Sequence, residues 1–185
     1  DYFDNQEKSS AHATLRWLPL ERLEVDLQAG MDRKRNGSDV SIAQGPVRYH
    51  EYKNPDSQDD SDLFSSALNL RYRGDAMVIH SITTYKEREN ELDRDVLYVN
   101  NGSSSIADVS DVTSVTQELR LQSPDAADGW KWLAGFYYSN EKQDYEDYSN
   151  TYDTIEWYGY NIKYNWPGEQ SEETMAAFGQ ASLPL

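Results

Sequence analysis

Apolar and polar residues alternate along much of the chain, which is the pattern of a β-strand whose two faces meet different surroundings. Leu23, Val25 and Leu27 fall on one side of the clearest segment, whereas Glu24 and Asp26 fall on the other. Seven segments show this period of two, at 11–17, 23–31, 68–73, 77–85, 115–122, 130–138 and 175–183. No apolar set recurs at helical spacing for more than a turn, so the sequence predicts an all-β fold.

The connections between these segments alternate between short and long. They are short at 18–21, 73–75 and 123–129, and long at about 33–62, 88–112 and 140–173. Compact soluble domains rarely contain three loops of such length. In an antiparallel up-and-down order, this alternation collects the short turns at one end and the long loops at the other. We therefore predict that the whole chain, residues 1–185, is a segment of a transmembrane β-barrel with short periplasmic turns and long external loops.

The negative charge is concentrated in the long connections. Residues 36–62, 88–112 and 140–173 contain 21 acidic and 6 basic residues, which is −15 of the net charge of −16. Such an acidic chain argues against nucleic acid as a partner, because phosphates are bound by Lys and Arg. The chain contains no cysteine, which excludes disulfides, thiol catalysis and cysteine zinc sites.

Aromatic residues lie near both ends of the predicted strands. Trp17, Trp130 and Trp132 lie beside short turns, and Tyr85 and Tyr138 lie toward the long loops, as expected of two interfacial girdles. The period of two alone fits equally a soluble β-sandwich that binds carbohydrate, and this alternative stays open. A polysaccharide-degrading enzyme is less favoured because no catalytic motif is present, so we expect neither enzyme activity nor a cofactor.

Two segments contain candidate site residues. The segment at 55–62 contains four acidic residues, and clusters of oxygen atoms are the ligands that Ca²⁺ prefers. A solvated acidic loop is the simpler interpretation of this segment. Flat rings of the third long connection could stack on a sugar, an aromatic siderophore or a planar cofactor, or could pack on one another. The candidate metal ligands are Asp56, Asp59, Asp60 and Asp62; the candidate ligand-binding residues are Tyr148, Tyr152, Trp157, Tyr158 and Tyr160, in a connection that also contains Tyr145, Tyr164 and Trp166.

The central part of the chain resembles a known family. Residues 116–124 read TQELRLQSP and residues 130–138 read WKWLAGFYY, and together they resemble a hairpin in the barrel of TonB-dependent outer-membrane receptors. Residues 15–25 are similar to another hairpin of that barrel, and residues 177–182 are similar to the start of a strand. The resemblance covers most of the seven strands and none of the long loops.

This resemblance implies a 22-stranded barrel around an N-terminal plug, of which seven strands are about a third. It implies a place in the Gram-negative outer membrane, in contact with membrane lipid and lipopolysaccharide. Import would be driven by the TonB energy-coupling complex, through an N-terminal part that we expect to lie outside these residues. The cargo implied by default is an iron–siderophore complex, but the acidic loops favour a neutral or cationic ligand, or a sugar. Glu118 and Arg120 would face the lumen as an ion pair.

Overall fold

The computed structural model describes the backbone of residues 6–37, 41–42, 58–98, 102–124, 130–155 and 158–183, and side chains within 6–37, 58–93, 107–124, 130–147 and 164–183. These residues form one β-sheet and no helix. The strands are β1 (Gln6–Leu20), β2 (Leu23–Gly37), β3 (Ser41–Ile42), β4 (Gln58–Arg73), β5 (Val78–Tyr98), β6 (Gly102–Gln122), β7 (Lys131–Ile155) and β8 (Tyr158–Ser182).

Seven of the strands follow one another across the sheet in chain order. The order is β1-β2-β4-β5-β6-β7-β8, and every neighbouring pair is antiparallel. The two-residue strand β3 pairs in parallel with β5. Within the described residues β1 and β8 each pair along one side only, so the sheet is open. The predicted all-β, up-and-down antiparallel fold is confirmed, and its open sheet is consistent with a barrel segment.

The sheet is a single layer over the described parts of the chain. Strands there contact only their neighbours in the sheet, and the one buried hydrophobic residue among them is Val78, with 4% of its surface exposed. A β-sandwich would need a second sheet packed about 10 Å away from the apolar face. No such layer is present in the described residues, and the structure therefore gives no support to the sandwich alternative.

Strand register gathers the apolar side chains onto one side of the sheet, which we call the apolar face. Leu15 pairs with Leu27, Leu27 with Leu68, and Leu119 with Phe136. Directly opposed residues of neighbouring strands share a face, so these pairings extend one apolar surface across the sheet. This surface is open: Leu15 is 63% exposed and Leu27 is 47% exposed. The opposite side, which we call the polar face, contains the residues between them.

The apolar face ends at a similar height on each strand. Moving away from the short turns, the apolar stretch of this face ends at Met31, Phe64, Tyr85, Val115, Tyr138 and Met175, and the next residue on the same face of each strand is polar: Arg33, Asp62, Glu87, Thr113, Asn140 and Glu173. We call the apolar part up to that boundary the apolar band. It is about 10 residues tall on each strand, which is the length that a tilted strand needs to cross a bilayer.

The strands continue well beyond the apolar band. Much of the predicted loops at 88–112 and 140–173 is strand, because β6 and β7 stay paired as far as Gly102 and Asp153. Apolar residues do not alternate regularly with polar ones along these extensions, so hydrophobic alternation gives no sign of them in the sequence. The long connections are therefore largely a continuation of the wall, with the short turns at the opposite end. In the first long connection, residues 43–57 lie outside the described residues.

Three glycines on the polar face are each covered by a ring from the neighbouring strand. The ring of His12 lies over Gly30, that of Phe178 over Gly135, and that of Tyr145 over Gly168. Glycine exposes backbone and weakens a strand, and a ring across the strand pair restores cover at that point. These sites show how the polar face packs without a second layer.

We expect Gly135→Val to destabilise the sheet, because a side chain at residue 135 would overlap the ring of Phe178. Overpacking costs about 1–3 kcal/mol, and we expect the lower end because Phe178 is partly exposed. Urea unfolding of the complete polypeptide that carries these residues would measure the change. Gly37→Val is the matched control, since a side chain there meets open space. Equal midpoints for both variants would show that the ring does not need the glycine.

Candidate functional site

Two exposed aromatic rings lie in parallel on the extended hairpin of β7 and β8. The rings of Tyr164 and Trp166 have centroids 5.0 Å apart and planes 1° apart. Tyr164 is 46% exposed and Trp166 is 59% exposed. The two residues are separated by one position on β8, so strand alternation places both on the polar face. They form a stacked pair beyond the apolar band, on the side opposite the apolar face.

A third ring lies next to this pair on β7. Tyr145 pairs with Gly168, and its ring occupies the space that a side chain at residue 168 would fill. The following pair on the same face is Asp147 with Trp166. Glycine is therefore required at residue 168 for Tyr145 to lie flat against the hairpin. We call Tyr145, Tyr164 and Trp166 the aromatic cluster.

Polar side chains continue from the aromatic cluster toward the apolar band. Gln143 pairs with Gln170, and Glu141 pairs with Glu172, both on the polar face. Amide groups both donate and accept hydrogen bonds, whereas ionised carboxylates only accept them. The polar face of this hairpin thus combines exposed aromatic surface with several acceptors and two amide donors.

Four of the five aromatic residues predicted to bind ligand lie on β7 or β8. Tyr148 and Tyr152 pair with Asn165 and Asn161, and Tyr158 and Tyr160 pair with Ile155 and Asp153. Their side chains lie outside the described part of the structure, as does the whole of Trp157. Ligand contact by these five residues stays a prediction.

The residues of the aromatic cluster, Tyr145, Tyr164 and Trp166, are not among the five residues that the sequence predicts to bind ligand. The signal that would have found the stacked pair is its spacing, since residues two apart on a strand share a face.

Three of the four predicted metal ligands lie on β4. Asp59 is on the polar face, 3.0 Å from the Lys34 ammonium, whereas Asp60 and Asp62 are on the other face. Asp60 is 3.3 Å from the guanidinium of Arg35, and Asp62 lies 2.7 Å from the same group. Because Asp59 lies on the opposite face from Asp60 and Asp62, the three carboxylates cannot bind one metal ion together.

Arginine contacts hold Asp62 in its ionised form. Hydrogen bonding from Arg35 lowers the pKa of Asp62 below its ordinary value, and Arg33 lowers it further. Over the described residues, no group of three or more His, Asp or Glu side chains is arranged to hold a metal ion. Asp56 lies outside those residues, so the predicted calcium site as a whole stays a prediction.

Five carboxylates form one row across the extended wall, above the apolar band. Each is the direct cross-strand neighbour of the next, and we call them the carboxylate row: Asp62, Glu89, Asp111, Asp144 and Glu169. The row shares its face with the apolar band and borders a shallow cavity of about 680 Å³. Like charges directly opposite one another destabilise a sheet. These five of the 21 acidic residues in the long connections therefore lie on the side away from the aromatic cluster.

Ion pairs lie on the polar face within the wall, both between strands and within one strand. Arg16 donates two hydrogen bonds to Asp26, at 2.7 and 2.8 Å, and lies 3.2 Å from Glu24. Arg120 donates to Glu118, so the structure brings together the pair that its shared face predicts. These charged side chains on the polar face are paired with one another, whereas the described residues of the apolar band include no charged side chain.

The short turns are also joined to one another. The Arg22 guanidinium lies 2.8 Å from the Asp75 carboxylate, and the backbone N–H of Arg73 donates to the carbonyl of Arg22. The hydrogen bond from Arg22 lowers the pKa of Asp75 from its ordinary value of 3.8. This contribution to stability is present above that value and is lost as the pH falls through the lowered pKa.

Comparison with known proteins supports the fold. No family model matches the chain. The crystal structure of the ferric yersiniabactin uptake receptor FyuA from Yersinia pestis is similar to it, with a TM-score of 0.61 and 13% sequence identity. The match covers 93% of this chain and 35% of the receptor, so the chain spans about a third of that receptor's length. At this identity, the likeness shows a shared barrel-wall fold. Among the described residues, no helix is long and apolar enough to span a membrane.

We expect Asp111→Asn to stabilise the wall at low ionic strength, because it removes the central charge of the carboxylate row. The gain should be about 0.5 kcal/mol, and it should vanish near 1 M salt, where charges are screened within about 3 Å. Unfolding midpoints at low and high salt measure it. Asp75→Asn is the control, and it should lower the stability because it removes the ion pair with Arg22. Stabilisation by Asp111→Asn that persists in high salt would contradict the electrostatic explanation.

Proposed function

We propose that this chain is part of the wall of an outer-membrane receptor that imports a scarce nutrient with energy from the TonB complex. The observation that carries this proposal is the exposed apolar band on one face of a single-layer sheet. Such a surface is unfavourable in water, at about 25 cal/mol per Å² of apolar area. Membrane lipid would cover it, and lipopolysaccharide would surround the part just beyond it.

The dimensions and borders of the band support this proposal. Its height of about 10 residues matches a tilted membrane-spanning strand. Trp17 lies at the border near the short turns, and Tyr85 and Tyr138 lie at the far border. Aromatic residues at both borders are typical of membrane–water interfaces. The change from Phe64 to Asp62 at the far border is what leaving the hydrocarbon region requires.

Transport, rather than catalysis, is the activity that this wall supports. The polar face would line the lumen, where the paired charges of Arg16, Asp26, Glu118 and Arg120 meet water or a plug. The structurally similar receptor is named for the uptake of ferric yersiniabactin, and an iron–siderophore complex is the cargo that the family resemblance implies by default. The remaining strands, the plug and the segment that contacts the energy-coupling complex would come from outside these residues.

The proposal predicts that the two faces of one strand tolerate charge differently. Leu27→Arg should destabilise the membrane-inserted protein by about 2–4 kcal/mol, because a charged residue would face lipid near the middle of the band. Gln28→Arg should cost much less, because Gln28 is on the polar face one residue away. Folding of the complete polypeptide into phospholipid vesicles, followed by urea titration, gives both values.

The same two variants also test the soluble alternative. Equal tolerance of the two substitutions, with a monodisperse polypeptide in the absence of detergent, would overturn the proposed membrane location.

A further inference from the structure

We infer that the aromatic cluster on β7 and β8 is a binding site for a neutral sugar. This inference rests on the proposed function, in which the polar face lines the path of the cargo. The cluster lies on that face, beyond the apolar band and therefore on the external side. A ligand would reach it before entering the lumen.

The exposed rings are the first argument for a ligand. Tyr164 and Trp166 pack on each other, yet about half of each residue remains open. The described strands contact only their sheet neighbours, so no other described strand covers the pair. Flat apolar ring surface that is open to water is suited to stacking against a planar partner, and the C–H face of a sugar ring is such a partner.

The charge around the cluster decides between kinds of ligand. Asp147 is paired with Trp166, and Glu141 and Glu172 face each other farther along the hairpin. The described polar face of β7 and β8 between Glu141 and Asp147, and between Tyr164 and Glu172, contains no Lys or Arg. A ferric complex of phenolate or carboxylate groups is usually anionic and would be repelled by these side chains.

Hydrogen-bonding groups near the rings fit the hydroxyls of a sugar. The carboxylate of Asp147 accepts hydrogen bonds, and the facing amides of Gln143 and Gln170 both donate and accept. Sugar hydroxyls likewise donate and accept, so they satisfy both kinds of group without adding charge. Aromatic surface with a few convergent polar groups is the usual composition of a small-molecule site.

Tryptophan fluorescence and calorimetric titration of the complete polypeptide in detergent would test this site. The probes are cellohexaose, xylohexaose and maltoheptaose as neutral sugars, and a ferric tris-catecholate as the anionic aromatic complex. We expect saturable binding of at least one sugar and no binding of the ferric complex at this cluster. Trp166→Ala should weaken the sugar at least tenfold, Trp166→Phe should retain most of the affinity, and Asp147→Ala should weaken it measurably.

The matched control is Trp130→Ala, which removes another exposed Trp at the short-turn end and should leave sugar affinity unchanged. Circular dichroism of each variant shows that the sheet is intact. Three outcomes would overturn the inference: no sugar binds, binding is unaffected by Trp166→Ala, or only the ferric complex responds to that substitution. Each of these leaves the membrane proposal standing, because that proposal is tested by Leu27→Arg, Gln28→Arg and the need for detergent.

Discussion

Backbone pairing between neighbouring strands fixes which side chains share a face, and the other properties of this sheet depend on that register. A shift of one residue between β2 and β4 would move Leu27 and Leu68 to opposite sides. The same shift would separate Arg35 from Asp62. Register thus assembles the apolar band and the ion pairs in one step, without a buried core in the described residues.

This dependence explains how the two ends of the strands acquire different roles. Near the short turns, alternation between apolar and polar residues gives a wall with one face for lipid and one for the lumen. Farther along, neither face is continuously apolar, and pairing of β6 with β7 and of β7 with β8 continues the wall outward. The extension positions the aromatic cluster on the polar face and the carboxylate row on the other face, where its charge does not meet the rings.

The fold was predictable from the sequence wherever hydrophobic alternation was present. The segment from Leu23 to Met31, and all but the first residue of the segment from Trp130 to Tyr138, lie in strands with the expected apolar sides on one face. The outer ends of the strands were not predictable in this way, because a segment such as Ser110-Asp111-Val112 has no apolar face. Extended pairing there depends on the partner strand, which no local pattern reveals.

The site was predictable only in part, for the same reason. The abundance of aromatic residues indicated the third hairpin, but without strand register it could not separate Trp166 from Trp157. Adjacent acids such as Asp59 and Asp60 looked like a cluster in the sequence, whereas a strand sends them to opposite faces. The sequence likewise could not assign the acidity of the long connections to a face, and the carboxylate row lies on the face away from the aromatic cluster.

The central claim is that the apolar band faces lipid and the polar face faces water, and spin labelling of β2 tests it most directly. The chain contains no cysteine, so single cysteines can be introduced one at a time from Val25 to Arg35. In vesicles, labels at odd positions through Met31 should be accessible to oxygen, and labels at even positions to a polar nickel reagent. Beyond Met31 the odd positions should become accessible to nickel. Accessibility to nickel at every position, with no period of two, would contradict the account.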